Sequence, residues 1–329
     1  MRIVVDAFGG DNAPFEIIKG AYLAHKSYNV SVTLTGDADI INKTVEENSF
    51  DFGDDFVVID TKDVISMHDE PTTILKSHSG SSMGLAFNEL VNDRADAFVS
   101  AGSTGAIVVG GTLIVKRIKG VKRPALAGML PAPDGSHYML MDMGANADCK
   151  PEMLAQFAIM ADAYLKNVEG ISNPKIGLLN IGTEETKGDQ LHLEAYNLLK
   201  NSPVNFIGNI ESREMPKGVC DAVITDGFTG NIALKLIEGT SMTLLKMIKS
   251  VFLKSIKNKL AAIMVKSDIS SIKKTMDSSE IGGAPLLGVR KPVIKAHGSS
   301  DAKAIMNAIR QAISFSQNDV IGNISENLG

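Results

Sequence analysis

Six segments of the chain repeat one chemical theme, glycine set beside Ser, Thr, Asn or Asp directly after a short apolar run. In order they read Asp6-Ala7-Phe8-Gly9-Gly10-Asp11-Asn12-Ala13-Pro14, Ser100-Ala101-Gly102-Ser103-Thr104-Gly105-Ala106, Asp142-Met143-Gly144-Ala145-Asn146, Asn180-Ile181-Gly182-Thr183-Glu184-Glu185-Thr186-Lys187-Gly188, Thr225-Asp226-Gly227-Phe228-Thr229-Gly230-Asn231 and His297-Gly298-Ser299-Ser300. Where such a loop opens a helix, free backbone N–H groups and the positive end of the helix dipole favour an anion. Phosphate is the occupant that six of them around one crevice predict. Any one loop is more simply a tight turn, and only the repetition argues for function. The candidate phosphate or substrate contacts are Asp6, Gly9, Gly10, Asn12, Gly102, Ser103, Thr104, Gly105, Asn146, Asp226, Gly227, Thr229 and Gly230. Lys187 is a candidate point charge for phosphate, or else a solvated lysine beside Glu184. His297, the one histidine in such a loop, is as readily structural as a proton donor.

Other chemistries find less support. Gly80-Ser81-Ser82-Met83-Gly84 matches a nucleophile elbow, but the preceding residues do not read as a strand, and His78 comes before the serines rather than after. A helix cap is the better reading of Ser81 or Ser82. No dinucleotide fingerprint, P-loop or zinc-protease motif occurs, so no cofactor is expected. Asp142 and Asp226 read as loop anchors, because a hard-metal site wants several converging carboxylates. Cys149 and Cys220 lack metal or redox spacing and read as buried apolar residues. A net charge of −5 gives no footprint for nucleic acid.

The loops need a scaffold, and short strands alternating with helix-length segments supply one of the α/β class with a largely parallel sheet. Strands are expected at 2–7, 30–34, 56–59, 97–101, 125–130, 138–141, 175–180, 205–207, 222–225 and 292–295. Helices are expected to start near Pro14, Ser82, Thr104, Pro151, Asp189, Gly230 and Ser300. With no linker dividing the chain, residues 1–329 read as a single interlocked domain. The start Met1-Arg2-Ile3-Val4-Val5-Asp6 reads as cytoplasmic, and the nearly apolar stretch from Ala106 to Val115 is too short to span a bilayer.

One segment reverses the charge of the whole. Between Thr240 and Lys266 there are six lysines and no Asp or Glu, so the remainder of the chain carries −11. Such a basic patch suits an anionic partner, lipid or protein. At helical spacing Leu244, Met247, Ile248, Val251, Phe252 and Ile256 share one side, while Lys246, Lys249, Lys254 and Lys257 share the other. Lys259 breaks the phase. The expectation is therefore two helical pieces with a break near Asn258, a projecting amphipathic hairpin over residues 240–276. Its tip would use Lys246, Lys249, Leu253, Lys254, Lys257, Lys259 and Leu260 to dock membrane or carrier protein. Alternatively its apolar faces pack on each other or across a dimer.

Taken with Gly282-Gly283-Ala284-Pro285-Leu286-Leu287-Gly288, these loops resemble the PlsX family of bacterial phosphate acyltransferases over nearly the whole chain. The resemblance implies transfer of an acyl group from acyl-[acyl carrier protein] to inorganic phosphate. The resulting acyl phosphate would feed phospholipid synthesis through a downstream glycerol-3-phosphate acyltransferase. It also implies a three-layer α/β/α fold related to isocitrate dehydrogenases and phosphotransacetylases, a homodimer, and peripheral membrane association. By motif the family's catalytic residues fall on Lys187 and Asn231. Phe8 stands where the family usually has Met, and Arg290-Lys291-Pro292 replaces a smaller turn. In the mechanism this suggests, phosphate attacks the thioester directly. Backbone N–H groups of the Gly102–Gly105 and Gly227–Gly230 loops hold it with Lys187, Asn231 orients it or stabilises the oxyanion, and His297 protonates the departing thiolate.

Overall fold

The computed structural model describes residues 1–54, 56–269 and 282–328. Among these, eleven strands form one sheet: β1 (Arg2–Asp6), β2 (Ser31–Gly36), β3 (Phe56–Asp60), β4 (Ala97–Ser100), β5 (Ala125–Pro131), β6 (His137–Met141), β7 (Lys175–Asn180), β8 (Asn205–Glu211), β9 (Ala222–Ile224), β10 (Gly283–Leu287) and β11 (Val293–Ala296). Their order is β3-β2-β1-β4-β11-β10-β5-β6-β9-β7-β8. All neighbours are parallel except at the centre, where β10 runs against both β11 and β5, and β5 runs against β6. Three reversals in a row leave β6, β9, β7 and β8 pointing opposite to β1, β2, β3, β4 and β11.

Helices cover both faces: α1 (Phe15–Tyr28), α2 (Ala38–Glu47), α3 (Ser82–Val91), α4 (Thr104–Gly110, continued by a π-helical turn over Gly111–Lys116), α5 (Pro151–Asn167), α6 (Gln190–Lys200), α7 (Gly227–Leu253), α8 (Ile256–Met264), α9 (Ala302–Gln317) and α10 (Val320–Leu328). Successive strand residues point to opposite faces, and here both faces are dry. Ile3, Val5, Ala97 and Val99 pack under α1 and α9, whereas Val4 and Phe98 between them pack with Phe87 and Leu90 of α3. Met139 and Met141 of β6 likewise join Leu154 and Phe157 of α5, while Tyr138 and Leu140 join Ala233, Leu234 and Ile237 of α7. This is the α/β class with a largely parallel sheet that the alternating pattern predicts, in the three layers that the family resemblance implies.

The ten expected strands all form, with ends shifted by a few residues at most. β10 was not expected, because Gly283-Ala284-Pro285 reads as a turn; antiparallel pairing on both sides carries it into the sheet centre. Helix α2, also unexpected, is capped by Asp37, whose carboxylate accepts from the N–H groups of Asp39 and Ile40. Helix α7 begins three residues before the expected Gly230, because the Asp226 carboxylate accepts from the Thr229 N–H at 2.8 Å. Helix α9 is capped by Asp301, which accepts from Ala304 N–H at 2.9 Å, and not by Ser300.

The basic segment breaks at Lys254-Ser255, earlier than the expected Asn258. Ser255 Oγ accepts from the Asn258 N–H at 3.1 Å to start α8, and Asn258 Nδ2 donates back to the Val251 carbonyl at 2.7 Å. That restart is why Lys259 falls out of phase with α7. From Asn231 to Ile269 no residue is buried, and beyond Ile237 none belongs to the core clusters. Residues 270–276 of the expected hairpin lie outside the described residues.

Candidate active site

The loops after β1, β4 and β11 are bound to one another. Asp6, buried at their base, accepts from the Ser100 hydroxyl at 2.7 Å and from the Phe8 N–H at 3.3 Å. Burial pushes this carboxyl above the ordinary range, and the hydrogen bonds oppose that rise. Ser100 Oγ accepts in turn from the Gly102 N–H at 3.0 Å. The loops come so close that a Cβ on Gly9 would lie 2.6 Å from Asp6 Oδ2 and 2.7 Å from the Gly102 nitrogen. Across the gap the Asp11 N–H donates to the Gly298 carbonyl at 2.8 Å, and Asn12 Nδ2 donates to the carbonyls of Ser299 at 3.0 Å and Ser300 at 3.3 Å. Ser103 caps α4 through the Ala106 N–H.

The loops after β6 and β9 form a second cluster built differently. The Asp142 carboxylate accepts five N–H groups, from the backbones of Leu126, Gly144, Ala145 and Asn146 and from Asn146 Nδ2, at 2.8–3.2 Å. Its burial still pushes the carboxyl up against those donors. The Gly227 N–H donates to the Asn146 carbonyl at 2.7 Å. Gly230 is pressed so tightly on this loop that a Cβ would sit 1.9 Å from the Asp142 carbonyl oxygen. Asp142 and Asp226 are thus committed to holding backbone, as the sequence reading of loop anchors has it.

Between the clusters opens a cavity of about 740 Å³. Its lining combines polar groups, from Gly10, Asp11, Gly102, Thr104, Lys295 and the His297–Asp301 loop, with the apolar residues Leu126, Met129, Leu130, Met143 and Leu234. Asn231, in the first turn of α7, also lines it, with Gly144 alongside. Of the candidate contacts, Gly10, Gly102, Thr104, Asn231 and His297 therefore meet around one space. Asp6, Gly9, Asn12, Ser103 and Gly105 stand behind them, and Asn146, Asp226, Gly227, Thr229 and Gly230 shape the turn that presents Asn231.

The expectation of six loops around one crevice is corrected in one respect. β7 lies beyond β6 and β9 in the sheet, and Lys187 in its following loop is exposed and absent from the cavity lining. The Lys187 N–H donates to the Glu184 carbonyl at 3.1 Å, and Asn180 Nδ2 donates to the Lys187 carbonyl at 3.0 Å. His297 is exposed at the cavity rim, with its Nδ1 2.9 Å from Ser299 Oγ and 3.2 Å from the Ser299 nitrogen. Ser81 is a helix cap, its Oγ accepting from the Gly84 N–H at 3.2 Å. Burial holds the thiols of Cys149 and Cys220 up at about 12, far from a reactive thiolate. Sequence reasoning missed Lys295 altogether; the signal was a lysine standing inside the apolar strand Val293-Ile294-Lys295-Ala296.

The family model described as "Fatty acid synthesis protein" matches residues 1–323. A phosphate acyltransferase of Thermoanaerobacterium thermosaccharolyticum is 46% identical over 328 residues, covering 100% of this chain and 97% of the relative. One from Bacillus pumilus is 48% identical over 321 residues, covering 97% and 95% respectively. The chain belongs to the phosphate acyltransferase family. Its fold is shared with a phosphotransacetylase from Streptococcus pyogenes, with a TM-score of 0.65 at 18% identity over 95% of this chain and 94% of that one. As a member of that family the chain is an enzyme, and its fold is of the α/β class.

Proposed function

We propose that this phosphate acyltransferase moves a fatty acyl group from acyl-[acyl carrier protein] to inorganic phosphate. The observation that carries the reading is the composition of the cavity, whose lining combines glycine-rich loops, Thr104 and Lys295 with Leu and Met side chains. A phosphate oxygen attacks the thioester carbonyl carbon, and the tetrahedral oxyanion collapses as the C–S bond breaks. The products are acyl phosphate and the carrier thiol, the thiolate taking one proton. In this reading the Gly102–Thr104 loop holds phosphate, Asn231 orients it or donates to the oxyanion, and His297 protonates sulfur. Lys187 carries a family role that its exposed position does not explain within one chain. Met and Leu suit a flexible acyl chain.

The basic segment serves as the docking surface in this reading. Lys246, Lys249, Lys254, Lys257 and Lys259 are exposed, and so are Leu253 and Leu260. Apolar side chains at Leu236, 66% exposed, and Met247, 61% exposed, leave a face that lipid or a second copy in a homodimer would cover. No described helix is long and apolar enough to cross a membrane, and peripheral binding from the cytoplasm to anionic lipid needs none. It would release acyl phosphate where a glycerol-3-phosphate acyltransferase can use it. Acyl-carrier protein and acyl-CoA, each incubated with and without phosphate, test the reaction. Phosphate-dependent thioester loss with the carrier protein is expected; loss only with acyl-CoA would reassign the donor, and no phosphate dependence would end the proposal.

A further inference from the structure

The β11 strand lies between β4 and β10 in the middle of the sheet, with Val293, Ile294 and Ala296 buried. Lys295 interrupts this apolar run, and its register is informative: it pairs with Ser100 of β4, the residue that leads into the Gly102–Thr104 loop, and with Ala284 of β10. Lys295 is half-buried and lines the cavity. The ammonium donates to the neighbouring Ala296 carbonyl and makes no ion pair with a carboxylate among the described residues. One carbonyl satisfies one of its three donors. A cation withdrawn from water with donors to spare costs free energy unless an anion completes it.

We infer that Lys295 is the cation that holds inorganic phosphate in the cavity, a binding residue for the acyl transfer proposed above. The inference rests on that reading for the identity of the anion. Asn231, Gly102 and Thr104 line the same space, so a phosphate held by Lys295 would meet them there. The other charged or titratable groups on the lining are Asp11, Lys235, Glu238, His297 and Asp301. Burial pulls the Lys295 ammonium down to about 8, and Asp11 opposes the shift. With a folded-state pKa below the ordinary lysine value, the charge is complete at lower pH and is lost as pH rises through about 8.

The test measures KM for phosphate and for the acyl donor, with direct phosphate binding to the enzyme alone, in wild type, Lys295→Met, Lys295→Gln, Lys295→Arg and Lys187→Ala. Loss of a charge-assisted contact predicts a KM for phosphate raised roughly 10- to 100-fold in Lys295→Met and Lys295→Gln, with KM for the acyl donor unchanged. Lys295→Arg should keep phosphate binding and abolish its decline above about pH 8. A folded Met or Gln variant that binds phosphate like wild type would overturn the assignment, as would an alkaline decline that persists in Lys295→Arg. If the Met variant fails to fold, the Gln and Arg variants decide. Wild-type enzyme that binds phosphate but transfers no acyl group would sink the acyl-transfer reading and leave the Lys295 assignment to be judged on binding alone.

Discussion

The two loop clusters look alike in sequence and behave differently in the fold. Asp142-Met143-Gly144-Ala145-Asn146 and Thr225–Asn231 turn their hydrogen bonding inward, five N–H groups on one carboxylate and a glycine pressed against a carbonyl. The loops after β1, β4 and β11 are bound together at their bases, yet present Gly10, Gly102, Thr104 and His297 to a cavity. Glycine serves close packing in both, Gly230 against the Asp142 carbonyl and Gly9 against Asp6 and the Gly102 nitrogen, while the second also sets Gly10 and Gly102 on the cavity lining. Met143, Gly144 and Asn231 cross over, belonging to the inward cluster and lining the same cavity as the open one. Substitutions should therefore separate into those that cost stability and those that cost rate.

The largest effect is expected in the inward cluster. Gly230→Ala places a methyl 1.9 Å from the Asp142 oxygen, which the backbone can relieve only by shifting the start of α7. A loss of about 4 kcal/mol or more in denaturant unfolding is expected; near wild-type stability would show that this contact is not rigid. Asp142→Ala strands five donors and should cost about 3 kcal/mol by the same measurement. Asn231→Ala is predicted to behave oppositely, with turnover down roughly a hundredfold, about 3 kcal/mol of barrier, and an unfolding midpoint close to wild type. Wild-type turnover in that folded variant would remove Asn231 from the mechanism. The smallest effect on the body of the protein belongs to the basic segment. Replacing Lys254, Lys257 and Lys259 together by Glu should change stability by no more than about 0.5 kcal/mol while abolishing flotation with anionic vesicles. Unchanged flotation would dismiss the lipid reading.

What the sequence made legible follows from how local each cause is. Short continuous apolar runs such as Ile3-Val4-Val5 announce strands buried on both faces, and Gly-Ser-Thr loops announce helix entries, so the α/β class and most elements could be read directly. β10 could not, since its Gly283-Ala284-Pro285 opening is stabilised by two strands distant in sequence. Strand order was also hidden: β7 lies beyond β6 and β9, its Lys187 loop is absent from the cavity lining, and no residue near Lys187 records that order. Lys295 was hidden because a lysine within a strand becomes notable only when both neighbouring strands and the cavity are known. The restart at Ser255 was partly visible, since the lysine phase failed at Lys259, but the cap lay a turn before the place where phase alone put the break.

The central claim is that phosphate itself attacks a carrier-bound thioester in this cavity. Its most direct measurement follows acyl-[acyl carrier protein] and acyl phosphate together, with phosphate as the only variable. The account predicts that each thioester lost appears as one acyl phosphate, and that neither change occurs when phosphate is omitted. Thioester loss that proceeds equally without phosphate, yielding free fatty acid, would contradict it.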